Sequence, residues 1–299
     1  NLNISDKLIY MSDIPKKNYT LSILMVVYEG DKDKFFFESL NSLIANREYF
    51  ENLILVVNGK INSKKESYIQ FFKEFLYINQ INLKVNSGIS KALNIGLEHI
   101  NSEWVVRFDS DDICCEDRFL NIHKILNNYG ERYDVIGTNI YEFTNSVDKI
   151  KHIRRVPQVI NHLDYKFIIS NPINHVSVFF RRSLIEDFGI PEFYPELDGF
   201  EDYLLWAKLL SNKKKFLNIP INTVFVRIGE DMLKRRGGIR YIRNEIIFRL
   251  RLNKYIRFTQ VPLNLLVLIL RIFFFSLHPK LKGYLYFLFR KNALLSKNN

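Results

Sequence analysis

Cysteine is nearly absent from this 299-residue chain, which has two, adjacent at Cys114 and Cys115. Two neighbours cannot build a disulfide framework, and they lack metal-ligand spacing. A disulfide scaffold is thereby excluded, and a reducing, cytosolic setting is expected. The opening stretch, residues 1–18, has no apolar core of signal-peptide length, so no secretion signal is expected there. A long apolar run is missing as well. Spanning a bilayer takes roughly 20 apolar residues, and Pro262–Leu277 is interrupted by Asn264 and Arg271. Acid is scarce at one end: residues 232–299 hold 15 Lys/Arg against Glu245 alone, a balance of +14. The other 231 residues carry 28 basic and 31 acidic side chains, or −3, so the overall +11 belongs to the tail. A body of that charge argues against a nucleic-acid binder. A basic tail interleaved with apolar runs points to an anionic lipid surface instead. No internal repeat or low-complexity segment is found.

What is present is enough apolar residue (47%, with 25% charged) to bury a sizeable core in one or two domains. Leu21–Tyr28 (LSILMVVY) is an almost unbroken apolar run, as in a central parallel strand covered on both faces. Asp33–Ile44 follows as a helix. Then come strand Leu53–Val57, helix Glu66–Leu76, strand Asn82–Val85 and helix Ser90–Ile100. The fourth strand is Trp104–Phe108, which ends in Asp109, Ser110, Asp111 and Asp112. Alternating strands and helices predict a parallel α/β sheet with right-handed crossovers over about residues 20–112.

Beyond it the pattern predicts helix Ile113–Leu126, strand Asp134–Thr138 with Ile140–Ile150 pairing onto it, and helix Leu163–Ser170. Strand Val176–Arg181, helix Phe200–Leu210 and short strands Phe216–Ile219 and Thr223–Arg227 follow. From Gly238 the texture turns to basic, amphipathic helix.

The stretch Glu103–Asp112 (EWVVRFDSDD) organises the rest. In an open α/β sheet, ligands bind beyond the C-terminal strand ends. Three carboxylates within four residues repel one another when poorly solvated, and a hard divalent cation relieves that repulsion. Oxygen ligands suit Mg²⁺ or Mn²⁺ shared with substrate phosphates. The alternative is a solvated acidic turn, with Asp112 capping the next helix. Glu201-Asp202 opens a predicted helix, where acids are also ordinary first-turn residues. His175, after Asn-Pro-Ile-Asn, is either a site residue or structural. Lys234-Arg235-Arg236-Gly237-Gly238 reads equally as a diphosphate-binding loop or an exposed basic turn. The abundant Phe is mostly core, though Phe273–Phe275 could face lipid.

These segments together resemble family 2 glycosyltransferases, which use the GT-A fold. LSILMVVYEG, ILVVNG, NSGISKALNIGL, WVVRFDSDD, NPINHVSVFFRRS, FEDYLLWAKLL and KRRGG occur in the family's order over about residues 20–245. The resemblance is greatest to bacterial O-antigen and polysaccharide sugar transferases.

It implies a GT-A catalytic domain over 1–237, with a nucleotide-binding half (20–112) and an acceptor half (113–237). A helical, membrane-associating region over 238–299 would follow. Val27, Tyr28 and Glu29 would line the nucleotide pocket, with Lys91 and the N-terminus of helix Ser90–Ile100 facing donor phosphates. Asn58 stands where the family usually has a uracil-contacting aspartate. Asp109, with Ser110 beside it, would serve the ribose and metal. Asp111 would ligate Mn²⁺ or Mg²⁺, and Asp112 and His175 would support the site. Asp202 would be the base that deprotonates the acceptor, with Glu201 beside it. Lys234, Arg235 and Arg236 would meet the acceptor's diphosphate.

The implied reaction is single, inverting transfer from a UDP-sugar to a lipid-diphosphate-linked saccharide. It would take place at the cytoplasmic face of the bacterial inner membrane, with the protein held peripherally. The Gln-x-x-Arg-Trp motif of the family's processive synthases is not found. A nucleotidyltransferase would want a Gly-rich phosphate loop after the first strand, and Tyr28-Glu29-Gly30-Asp31 is a poor one. A non-catalytic, membrane-associated nucleotide-sugar-binding protein is the other alternative.

Overall fold

The computed structural model describes residues 18–160, 162–229 and 238–277. Residues 1–17, the basic run Lys234–Gly237 and the end of the tail from 278 lie outside the described residues.

The first half alternates as the apolar pattern predicts: β1 (Leu21–Val27), α1 (Asp33–Leu43), β2 (Asn52–Asn58), α2 (Ser63–Phe72), β3 (Ile78–Leu83), α3 (Ile89–Leu97) and β4 (Trp104–Arg107). The second half runs β5 (Ile113–Cys114), α4 (Arg118–Tyr129), β6 (Val135–Phe143), β7 (Ile150–Arg154), β8 (Val159–Ile160) and α5 (Tyr165–Ile169). It continues with β9 (Phe179–Arg181), α6 (Ser183–Phe188), α7 (Glu201–Ser211), β10 (Phe216–Arg227), α8 (Gly238–Leu252) and α9 (Val261–Ser276).

The strands form one sheet in the order β3-β2-β1-β4-β9-β6-β10-β5, with β7 against β6 and β8 against β10. It is mixed, and its longest pairings are parallel: β1 with β2, β2 with β3, and β6 with β10. β9 runs antiparallel between β4 and β6 and joins the two halves.

Each strand sends alternate residues to opposite faces. Ile23, Met25 and Val27 of β1 pack with Phe36 and Leu40 of α1 on one side. Leu24 and Val26 pack with Leu93 and Leu97 of α3 on the other, in a core that continues through Trp206 of α7 to Phe248 of α8 and Val267 of α9. Gly96 lets α3 sit close on the sheet, because a Cβ there would collide with Leu24 and lie 2.9 Å from Val56.

Several expected elements differ. The helix expected from Ile113 begins at Arg118, because Ile113 and Cys114 are drawn into the sheet against Phe225 and Val224. Asp112 therefore caps nothing. The strands expected at Phe216–Ile219 and Thr223–Arg227 are one long β10, with register shifts against β6 where the break was expected. β3 starts four residues earlier than expected, since its polar Asn79 and Gln80 hide an edge strand. Within Val176–Arg181 only Phe179–Arg181 is strand, and His175–Ser177 is a short 3₁₀ turn.

Candidate active site

β1, β2 and β4 run parallel, so their C-terminal ends share one edge of the sheet, where a cleft of about 1510 Å³ opens. Tyr28, Asp31, Asn58, Arg107, Asp109, Ser110 and Asp111 line it at the strand ends, and Asn86–Lys91 where α3 begins. Across the cleft stand His175, Glu196–Gly199, Glu201 and Asp202, with Arg240, Arg243 and Arg251 of α8. Of the residues expected at a site, Tyr28, Asn58, Lys91, Asp109, Ser110, Asp111, His175, Glu201 and Asp202 meet here.

The acidic turn is held between two arginines. Arg107, 2% exposed, turns back under it, pairing with the Asp109 carboxylate and donating to the Leu24 carbonyl at 3.1 Å. Arg227, at the end of β10, donates from Nε to the Asp111 carbonyl at 3.0 Å and meets Glu38 Oε2 at 2.7 Å. Its guanidinium lies 3.9 Å from the Phe35 ring centroid, and its backbone N–H donates to Asp112 Oδ1 at 2.8 Å. Burial, with Asp111 and Asp109 nearby, pushes the Asp112 carboxyl well above the usual carboxylate range. Ser110 Oγ donates to Asp31 at 2.8 Å, and burial raises the pKa of Asp31 as well.

Asp109 and Asp111 present oxygen ligands to the cleft. Among the described residues no group of three or more His, Cys, Asp or Glu is arranged to hold a metal. Two carboxylates fit a hard divalent cation completed by substrate phosphates and water, and do not make a preformed cage.

Three donor-side expectations change. Val27 is fully buried on the far face of the sheet, and its neighbour Val26 lines the cleft, because side chains alternate along β1. Glu29 is not among the lining residues. Its carbonyl accepts from Lys65 Nζ at 3.2 Å, and Lys65 also pairs with Asp33 at 2.9 Å. Asn58 uses its whole amide within the chain. Oδ1 accepts from Ser87 N (2.9 Å) and Ser87 Oγ (3.3 Å), while Nδ2 donates to Asn86 Oδ1 (3.1 Å) and Gly88 O (3.2 Å). An Asn offers two acceptor sites and two donors, so none remains for a base. Asn58 instead pins the turn that leads into α3, where Gly88 adopts φ +84°.

Glu201 and Asp202 open α7. Glu201, 8% exposed, accepts from Gly199 N at 2.6 Å. Burial, then the adjacent Asp202, pushes its carboxyl up to about 8. Asp202 is partly exposed; Oδ2 accepts from Asn171 Nδ2 at 2.8 Å and Oδ1 from Tyr203 N at 2.7 Å. Burial therefore favours the protonated form of Glu201, while Asp202, partly exposed, lines the cleft. His175 contacts the Tyr194 hydroxyl at 3.1 Å; burial, then Arg107, depresses its pKa well below 6.5 and leaves the ring neutral.

Sequence reasoning did not single out Arg107, Arg227 or the α8 arginines. One signal for Arg107 was available: a lone cation inside an apolar strand is buried and needs a partner, and Asp109 lies two residues on. Arg227 gave none, because its register opposite the acidic turn depends on how β10 pairs. Lys234, Arg235 and Arg236 lie outside the described residues.

Over residues 22–188 the chain matches the family model described as Glycosyl transferase family 2. It is 32% identical over 276 residues to the UDP-Gal:alpha-D-GlcNAc-diphosphoundecaprenol beta-1,3-galactosyltransferase of Escherichia coli, covering 92% of this chain and 96% of that one. Among solved structures it is similar to S. aureus TarS 1–349 in complex with UDP-GlcNAc, with a TM-score of 0.63 and 20% identity over 86% of this chain and 73% of that one. The mannosyltransferase PcManGT from Pyrobaculum calidifontis, solved with GDP-Man and Mn²⁺, gives a TM-score of 0.53 at 14% identity, over 97% and 85% of the two chains. The two structural likenesses establish the fold as GT-A-like. With more than half its length matching the family and a 32% identical relative aligned nearly end to end, the chain belongs to glycosyl transferase family 2 and is a glycosyltransferase.

Proposed function

We propose that this enzyme moves one hexosyl unit, with inversion, from a UDP-sugar to a saccharide carried on a lipid diphosphate, in the assembly of an O-antigen or another surface polysaccharide. The observation that carries the reading is the division of acids in one cleft. Asp109 and Asp111 lie at the strand ends, and Glu201, whose pKa burial raises, stands with Asp202 across from them. The name of the 32% identical E. coli relative, with its UDP-Gal donor and GlcNAc-diphosphoundecaprenol acceptor, supports both substrate classes.

The chemistry follows from the side chains. Asp202 takes the proton of the acceptor hydroxyl as that oxygen attacks the anomeric carbon from the face opposite the leaving group. The bond from that carbon to the β-phosphate oxygen breaks, and UDP leaves with the electron pair. Asn171 and the Tyr203 N–H hold the Asp202 carboxylate in place, while neutral Glu201 avoids adding a second charge beside it. Lys91 and the start of α3 line the cleft, where the N-terminus of a helix suits the donor phosphates. Asp109 and Asp111 would hold Mn²⁺ or Mg²⁺, which when bound neutralises charge on the leaving diphosphate.

The reading extends to a peripheral position on the cytoplasmic face of the inner membrane. Phe258–Ser276 is long and apolar enough to cross a membrane, with mean hydropathy 1.9. Arg271, however, turns inward to Glu245 (3.4 Å) and the Ile169 carbonyl (2.9 Å). Asn264 and Val267 bury one edge of α9 on the body. The opposite edge exposes Leu265, Leu266, Ile269, Leu270 and Phe273, an apolar stripe suited to lie in a lipid surface.

A panel of UDP-sugars with a lipid-diphosphate-GlcNAc analogue tests the reaction through released UDP. One donor should give acceptor-dependent release that is lost in EDTA and in Asp111→Ala. Full activity in EDTA would remove the metal role. Binding of a UDP-sugar without turnover by any of them would favour a non-catalytic binding protein.

A further inference from the structure

Helix α8 stands between the cleft and α9. One of its faces carries Glu245 and Arg249 inward, where Arg249 meets Glu245 at 2.7 Å and Asn264 of α9 at 3.1 Å. The residues at 240, 244, 247 and 251, spaced 4, 3 and 4 apart, line the cleft together with Arg243. Two members of that wall serve the fold. Arg240 pairs with Asp198 at 2.7 Å and Asn244 donates to the Asp198 carbonyl at 3.1 Å, so both tie α8 to the loop before Glu201. Arg243 is exposed and has no ion-pair partner among the described residues. Arg251 makes only a long 3.5 Å contact with the Glu196 carbonyl. Two guanidinium groups with donors to spare thus face the cleft from α8, the helix that packs on α9.

A guanidinium is a fork of donors matched to phosphate oxygens. A lipid-diphosphate acceptor has three parts in sequence: a sugar, a diphosphate and a hydrocarbon chain. The molecule offers three matching surfaces: Asp202 in the cleft, the arginines of α8 in the same cleft wall, and the outward stripe of α9, the helix packed on α8. We propose that Arg243 and Arg251 bind the diphosphate of the lipid-linked acceptor and so hold its sugar toward Asp202. The inference rests on the reaction proposed above and deepens it. It moves the acceptor's phosphate site onto a helix of the cleft wall, away from the Lys234–Arg236 run expected from sequence.

The test is binding, without donor and without turnover, of two probes to the full chain by calorimetry. One is hexyl-diphospho-GlcNAc and the other is hexyl GlcNAc, which lacks the diphosphate. The wild type should bind the first at least about tenfold more tightly, and the double variant Arg243→Gln/Arg251→Gln should reduce that preference to about twofold or less. Its affinity for UDP should stay within about twofold of wild type. Thermal melting of the variant, whose substituted side chains are exposed, controls for folding. A diphosphate preference that survives in the variant, or is absent from the wild type, overturns the proposal. So does a parallel loss of UDP affinity, which would give the arginines to the donor instead. Failure of every UDP-sugar to turn over would sink the reaction but leave this comparison readable.

Discussion

At the scale of single residues, environment assigns different tasks to acids that look alike in sequence. Asp202→Asn is nearly isosteric but cannot take a proton, so turnover should fall by about 10²–10⁴ with UDP binding kept. Glu201→Gln, which preserves a neutral side chain, should cost far less. If Glu201→Gln is the inactive variant, the roles are reversed. The same pair sets a pH signature. The folded state raises the Glu201 pKa from 4.5 to about 8 and so holds its proton more tightly than the unfolded chain does. This contribution to stability is complete below about pH 4.5 and is lost as pH rises toward 8 and above. Melting temperature should therefore decline across that window in the wild type, and less steeply in Glu201→Gln. Parallel curves would show that Glu201 titrates normally. Arg227 does not line the cleft and acts by tethering the Asp111 carbonyl. Arg227→Gln strands partly buried acceptors at a cost of about 1–3 kcal/mol. It should also raise the Mn²⁺ concentration needed for half-maximal activity. An unchanged metal midpoint would limit Arg227 to a packing role.

At the scale of elements, what could be read from sequence followed burial. β1, β2 and β4 lie in the sheet interior, so most of their side chains are apolar and the runs are unmistakable. β3 is an edge strand with Asn79, Gln80 and Asn82, and β5 is only two residues long; neither carries a periodic signal. The acidic pairs were visible as residues, yet the arginines that hold the acidic turn were hidden, because their partnerships are made by distant strands. The apolar character of α9 was legible, but not which edge faces out. That edge is testable. Leu266→Glu/Ile269→Glu should weaken sedimentation with anionic vesicles without lowering the melting temperature. Binding by the wild type should be partly released by high salt, which screens the basic residues, and more fully by detergent. Vesicle binding unaffected by the double substitution would leave the stripe without that role.

At the scale of the whole molecule, the C-terminal helices belong to the same core as the catalytic cleft. Phe248 packs against Phe200 and Tyr203 with ring centroids 5.0 and 4.6 Å apart. Glu245, Arg249, Arg271 and Asn264 form a largely buried polar network joining α8, α9 and the Ile168 and Ile169 carbonyls. Removing one partner strands a buried charge, so Glu245→Ala should destabilise the protein by about 3–5 kcal/mol. Denaturation followed by circular dichroism should then show one transition shifted as a whole; an early separate phase would mark 238–277 as an independent unit. The central claim is that Asp202 drives direct displacement at the anomeric carbon while the diphosphate leaves from the opposite face. UDP-hexoses of the common α-linked kind must then yield a β-linked product. The anomeric proton coupling of the product, read by NMR, tests this most directly. A large coupling for a gluco- or galacto-configured donor is predicted, and a small coupling, meaning an α-linked product, would contradict the account.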